Sequence, residues 1–164
     1  MISVAAFVPV VGVGIVALGP RIASSRARLL AREATAALEG DDPKTARIKA
    51  EEALRLDPTS VEALVARAIA LNATGSHSEA LRDLNRLIAL SATKAWIWRE
   101  RAFARGALGE LVGAREDLDQ AIALDPKYDV SWRRRGDLQV RLGELEAAES
   151  DLSQAIWLAP TDPR

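Results

Sequence analysis

The sequence contains no cysteine, and only one histidine, one methionine and one tyrosine; its 22 Lys and Arg against 23 Asp and Glu leave a net charge of −1. The missing cysteine excludes disulfides, thiol nucleophiles, iron–sulfur clusters and Cys-ligated zinc, although such a chain tolerates an oxidising or a reducing compartment equally. The lone His77, flanked by Ser76 and Ser78, has no companion for a metal site or a Ser-His-Asp arrangement and reads as a solvated turn residue. Near-neutral charge supplies no field that would draw the chain onto nucleic acid, so no nucleic-acid partner is expected. P-loop, HExxH and GxSxG motifs are absent too. The carboxylates fall at helical spacings with arginines, the pattern of a charged surface and not of an acid–base pair in a cleft. Neither catalysis nor a cofactor nor a metal is expected.

A further absence is local. Residues 2–19, ISVAAFVPVVGVGIVALG, carry no charged side chain. As a helix these 18 residues would span about 27 Å, slightly short of the ~30 Å hydrocarbon core. Arg21, Arg26, Arg28 and Arg32 follow before any acidic residue. The reading is a hydrophobic segment over 1–20 serving as a transmembrane anchor, a basic linker over 21–26, and a cytoplasmic remainder. A cleaved signal peptide, which would make the protein exported or periplasmic, fits less well. It would have no basic n-region, and the small-residue site Ala17–Gly19 is followed by Pro20. Residues 2–19 contain no GxxxG, so the segment has no dimerisation signal. Gly12, Gly14 and Ala17 match the dinucleotide fingerprint GxGxxG/A, but that motif binds a pyrophosphate only at a turn from strand to helix, and helical pairs follow here. A dinucleotide-binding enzyme is therefore the most distant alternative.

What the chain does have is 49% hydrophobic and 27% charged residues, enough for a compact domain, and a repeat. DLDQAIALDP at 117–126 returns as DLSQAIWLAP at 151–160, 34 residues later. Residues 95–128 laid over 129–162 give 15 identities in 34, among them Trp98 with Trp132, Arg101 with Arg135, Gly109 with Gly143 and Pro126 with Pro160. Earlier units keep Arg67, Gly75, Ala80, Asp83 and Leu84, and before them Ala34, Ala46, Ala53, Leu54 and Pro58. Four units run over 27–60, 61–94, 95–128 and 129–162. Within one unit, helix formers continue to Gly109, which accepts a left-handed conformation. A second apolar stripe, Leu111, Ala114, Leu118, Ala121, Ile122 and Leu124, has helical spacing and stops before Pro126. Small alanines let the two helices approach. Trp98 and Trp132 are expected in the core.

The period of 34 and the pattern W…LGE…A…DL.QAI.L.P resemble the tetratricopeptide repeat (TPR) family over about five-sixths of the chain. The second unit departs from it, with Ser91 and Ala92 where others have Asp or Ala followed by Pro. The resemblance implies an all-α, right-handed solenoid of four helix pairs preceded by the hydrophobic helix. It also implies a groove lined by the first helix of each unit that takes a protein or peptide partner. On that reading the groove presents Glu62, Val65, Ile69 and Asn72, then Trp96, Arg99 and Phe103, then Val130, Arg133, Asp137 and Arg141. Some TPR domains grip a C-terminal carboxylate with Lys and Asn; the matching places hold Val65 and Ile69, or Ala31 and Thr35, so that activity is not implied. The implied function is a non-catalytic, membrane-anchored adaptor or assembly scaffold that binds a segment with acidic residues flanking large apolar ones, with Trp96 as the anchor. The alternative is a soluble or exported docking subunit of a larger enzyme assembly.

Two further expectations come from the repeat. Arg67, Arg101 and Arg135 are followed 16 residues on by Asp83, Asp117 and Asp151, whereas the first unit has Glu33 and Lys49. A swap that keeps opposite charge predicts contact across each helix pair. The last unit leaves Ile156, Trp157 and Leu158 with no following unit to cover them, which predicts a sticky edge, with a homodimer through it as the simplest cover and a fragment boundary as the alternative.

Overall fold

A computed structural model describes residues 12–90 and 93–159. Among them run α1 (Gly12–Glu39), α2 (Pro43–Leu56), α3 (Val61–Ala73), α4 (His77–Leu90), α5 (Ala95–Ala107), α6 (Leu111–Leu124), α7 (Asp129–Leu142) and α8 (Leu145–Leu158), with no strand among the described residues. Each helix packs against the next, and the first helices also meet, α1 on α3 and α3 on α5. The chain is thus a row of helix pairs, each covering the apolar face its neighbour cannot bury alone. One core cluster runs from Leu30 and Ala31 of α1 through Leu64, Leu71, Leu84 and Leu87 to Ile97 and Ala104 of α5. A second joins Ala102, Ala114, Leu118 and Leu138 across α5, α6 and α7. Alanines at 0–1% exposure, such as Ala34, Ala50, Ala68 and Ala121, are what allow neighbouring backbones so close.

Local chemistry places the ends. Asp42 caps α2 by accepting the Thr45 N–H at 3.0 Å, with Pro43 in the first turn, and Ser60 caps α3 through Ala63 N–H at 3.3 Å. The turn inside each unit is one motif used four times. The N–H of Asp42, Ser76, Glu110 and Glu144 reaches back to the carbonyl of Ala37, Leu71, Arg105 and Gln139 at 2.8, 2.8, 2.9 and 2.9 Å. This bond needs the residue before the donor in the left-handed region. Gly75, Gly109 and Gly143 supply it with φ of 79°, 83° and 79°, but the first unit uses Asp41 at φ 57°. Asp41→Gly should therefore raise the unfolding free energy by about 0.5 kcal/mol by removing left-handed strain. Gly109→Ala should lower it by about 1 kcal/mol for conformational reasons alone, because a Cβ there meets nothing within 4 Å. Urea midpoints read both.

The N-terminal region departs from the sequence reading. α1 continues without a break through residues 21–26, so this stretch is part of a helix that leads into the first unit and not a linker. Of the hydrophobic segment, residues 1–11 lie outside the described residues, and among the described residues no helix is long and apolar enough to cross a membrane. Gly12, Gly14 and Ala17 are helical, where a dinucleotide fingerprint needs a turn. Ser91 and Ala92 also fall outside the described residues.

Candidate partner-binding groove

The repeated charge pairs link the two helices of each unit. Arg67 meets Asp83 through Nε and Nη2 at 2.7 and 2.7 Å, Arg101 meets Asp117 at 2.9 and 2.6 Å, and Arg135 meets Asp151 at 2.6 and 2.7 Å. Each is the two-point fork that a guanidinium and a carboxylate make best. In the first unit the signs are reversed, Lys49 Nζ lying 2.9 Å from Glu33. The contact inferred from the spacing of 16 is present in all four units. The arginines also reach back one unit, Arg101 Nη1 to Asn85 Oδ1 at 2.9 Å and Arg135 Nη1 to Asp119 Oδ1 at 2.8 Å. Hydrogen bonding to the carboxylate raises the pKa of Arg67 and Arg135 above the ordinary arginine value. Trp98 and Trp132 are half-buried, not core, each under the guanidinium of its unit's paired arginine at 4.9 and 5.0 Å.

This frame leaves the first helices' other face to the groove, and its residues are not equivalent. Glu62 is exposed, while Val65 and Ile69 are half-buried, Val65 against the large core cluster. Asn72 is buried at 4% exposure, its Nδ2 donating to the Glu100 carbonyl at 3.0 Å and to Glu100 Oε2 at 2.9 Å. Its amide therefore ties α3 to α5 and is not offered to a ligand. Trp96 is half-buried against the same core cluster. Arg99 lies over the Tyr128 ring at 4.0 Å, and its buried Nη1 has no hydrogen-bond partner. Phe103 is 44% exposed. Val130 is half-buried, and Arg133, Asp137 and Arg141 are exposed.

Of these residues, Phe103, Asp137 and Arg141 line one cavity of about 470 Å³ between α5 and α7. Its floor is apolar, built from Ala102, Ala107, Ala114, Leu118 and Leu138, and Arg134 joins the mouth. The repeat explains the space. In the second unit Asn72 fills the gap to α5 by bonding Glu100; 34 residues on, those places hold Gly106 and Arg134. Residue 106 itself brings no side chain to the gap, which only the Arg141 guanidinium reaches across, and the acid has become a cation.

Two residues of this region were not singled out by the sequence. Arg134 lies over the Phe103 ring at 5.6 Å. His77, read as a solvated turn residue, is the first residue of α4, half-buried, with its ring 5.5 Å from Phe103 in an edge contact and Nδ1 3.4 Å from Asn72 Oδ1. Because the Asn72 NH₂ is committed to Glu100, its oxygen faces His77, and Nδ1 is the donor in that pair. No local signal marks either residue, since their meeting depends on the register of three helices. No group of three or more His, Cys, Asp and Glu able to hold a metal ion occurs among the described residues.

The C-terminal edge also differs in detail. Ile156 and Trp157 are each 77% exposed. Places equivalent to Ile156 hold Leu54, Ile88 and Ile122, which the following unit buries or half-buries. Places equivalent to Trp157 hold Arg55, Ala89 and Ala123, exposed even with a following unit present. Leu158 is half-buried, and its equivalents Leu56, Leu90 and Leu124 are exposed. Of the three edge residues, only Ile156 occupies a place that stacking covers, and the half-buried Leu152 is its neighbour there.

No protein-family profile matches the sequence, and no curated protein matches it. Solved structures share the fold. MamA from Desulfovibrio magneticus RS-1 aligns with a TM-score of 0.78 over 84% of this chain and 78% of that one, at 19% identity. A thermophilic TPR protein of Thermus thermophilus aligns at 0.71 over 82% and 75%, at 25% identity. A tetratricopeptide repeat protein of Parabacteroides merdae aligns at 0.71 over 85% and 56%, at 19% identity. The all-helical solenoid is therefore of the TPR type.

Proposed function

We propose that the protein is a non-catalytic interaction scaffold whose first-helix face binds a partner segment carrying acidic residues beside large apolar ones. The observation that carries this reading is the mouth of the α5–α7 cavity. Arg134 and Arg141 have no ion-pair partner there among the described residues, although Arg67, Arg101, Arg105 and Arg135 each have one. Two arginines that make no ion pair, one on each side of Asp137 and beside an exposed aromatic ring, suit a ligand that brings both charge and apolar surface. Binding should weaken steadily as added salt shortens the Debye length from about 10 Å at 0.1 M to about 3 Å at 1 M. Anisotropy titrations of acidic–apolar, basic–apolar and uncharged peptides at several salt concentrations test it. Equal binding of all three, or an affinity indifferent to salt, ends the reading.

The scaffold is further proposed to be tethered to a membrane through residues 2–19, with the repeats on the cytoplasmic side. Sequence alone supports this: a charge-free stretch followed by Arg21, Arg26, Arg28 and Arg32. The intact protein should stay with membranes through an alkaline carbonate wash, and Val11→Arg with Ile15→Arg should release it. Extraction of the unaltered chain would favour the soluble or exported docking subunit.

A further inference from the structure

We propose that the cavity between α5 and α7 receives one bulky apolar side chain of the partner, and that the residues on either side of it in the partner are acidic and pair with Arg134 and Arg141. This assignment rests on the groove reading above and narrows it to one subsite and one pattern, acidic–bulky–acidic in a polyproline II segment.

Three observations converge on it. The first is the glycine. Gly106 is the penultimate residue of α5, where glycine favours the helix less than alanine would. A Cβ at Gly106 would meet only Arg141 Nη1 at 3.9 Å, so no packing in the protein itself demands the small residue. The space left there is available to a side chain of the partner. The second is the wall. Phe103 is held by the His77 ring edge at 5.5 Å and the Arg134 guanidinium at 5.6 Å while staying 44% exposed. A ring already fixed in position loses little freedom when a second ring packs on it. The volume of about 470 Å³ lies within the range of pockets that take a whole small molecule, so a single bulky side chain fits with room to spare.

The third is the charge at the mouth. Arg134 and Arg141 are seven residues apart on α7, two turns or roughly 10 Å along the helix. Asp137 lies between them and lines the same mouth. A single carboxylate at the centre would face Asp137, whereas two carboxylates on either side of a central apolar residue would each meet a guanidinium. In a polyproline II segment, with three residues per turn, the two flanking residues are about 6 Å apart and project to either side of the central one, and their side chains close the difference. Arg141 Nη2 meanwhile donates to the Gly106 carbonyl at 3.3 Å, a long bond that a carboxylate can replace.

The test uses the full chain and labelled Gly/Ser peptides of about ten residues centred on Glu-Trp-Glu, Glu-Ala-Glu or Lys-Trp-Lys, read by fluorescence anisotropy. Gly106→Leu fills the cavity with a good helix former and removes no charge, although Arg141 Nη1, 3.9 Å from a Cβ at this place, must turn aside; circular dichroism and a urea midpoint confirm that it folds. It should weaken Glu-Trp-Glu at least about tenfold and leave Glu-Ala-Glu unchanged. Arg141→Glu, at an exposed site, should shift preference away from Glu-Trp-Glu toward Lys-Trp-Lys. If Gly106→Leu binds Glu-Trp-Glu as the parent does, the subsite is wrong while the groove reading stands. If the parent chain binds Lys-Trp-Lys as well as Glu-Trp-Glu, the groove reading fails and the subsite with it. Free indole-3-acetate binding as tightly as the peptide would overturn the assignment to a peptide.

Discussion

Asp117→Ala should lower the free energy of unfolding by about 3–5 kcal/mol, whereas Glu33→Ala should cost less than about 1 kcal/mol. Both substitutions remove the carboxylate of the same repeated pair, and only the surroundings differ. Asp117 is 1% exposed and holds two guanidiniums, Arg101 through two hydrogen bonds and Arg105 at 3.0 Å. Without it, both arginines keep their charge in a site that water reaches poorly, and Arg101 loses the contact that places it over Trp98. Most of the cost is this uncompensated charge and not the net worth of the pair, so a similarly shaped apolar replacement of Arg101 and Asp117 together should recover part of it. Glu33 and Lys49 are 42% and 35% exposed, and water solvates either one when the other is gone. Urea denaturation of both variants, with the Arg101 and Asp117 double-mutant cycle, reads the difference. Equal effects at the two sites would mean that burial does not set the strength of these pairs.

The contrast also indicates how much was legible in the chain itself. The charge pairs were readable because a reversed pair in the first unit, Glu33 with Lys49, keeps the sign product of Arg67 with Asp83 at the same spacing. The glycine turns were readable for the same reason, since a left-handed residue recurs every 34 positions. The length of α1 was not. Residues 21–26 have the composition of a linker, and nothing local in Arg21 to Arg26 separates an exposed helix from an exposed coil. Within the groove, helical spacing named the residues that share a face but not how deep each lies. Depth is set by the neighbouring unit. Asn72 is consumed because Glu100 stands opposite it, and the cavity opens because Gly106 and Arg134 replace that pair one unit later. Trp157 looked like an uncovered edge residue until its equivalents Arg55, Ala89 and Ala123 proved exposed where a following unit is present.

The same difference in depth separates the groove's two aromatic residues. Trp96→Ala should lower stability by about 2 kcal/mol or more, because the ring packs against the core cluster containing Ile97, Leu64 and Leu71 and its removal leaves a space there. Any fall in partner binding would then carry a structural component. Phe103→Ala should instead leave the urea midpoint nearly unchanged, since the ring is 44% exposed and outside both core clusters, yet should cost roughly 2 kcal/mol of binding to a Glu-Trp-Glu peptide. Removal of the ring also frees the Arg134 guanidinium from its place over the face and takes away the edge contact of His77. The bound acid should therefore lose a positioned cation as well as an apolar wall. The sequence pointed to Trp96 as the anchor because tryptophan is the residue most enriched at interface hot spots; its packing against the core makes Phe103 the anchor we propose instead. Titrations of the two variants, each beside its own unfolding curve, decide between them. Binding lost with Trp96 at unchanged stability, and kept without Phe103, would return the anchor to Trp96.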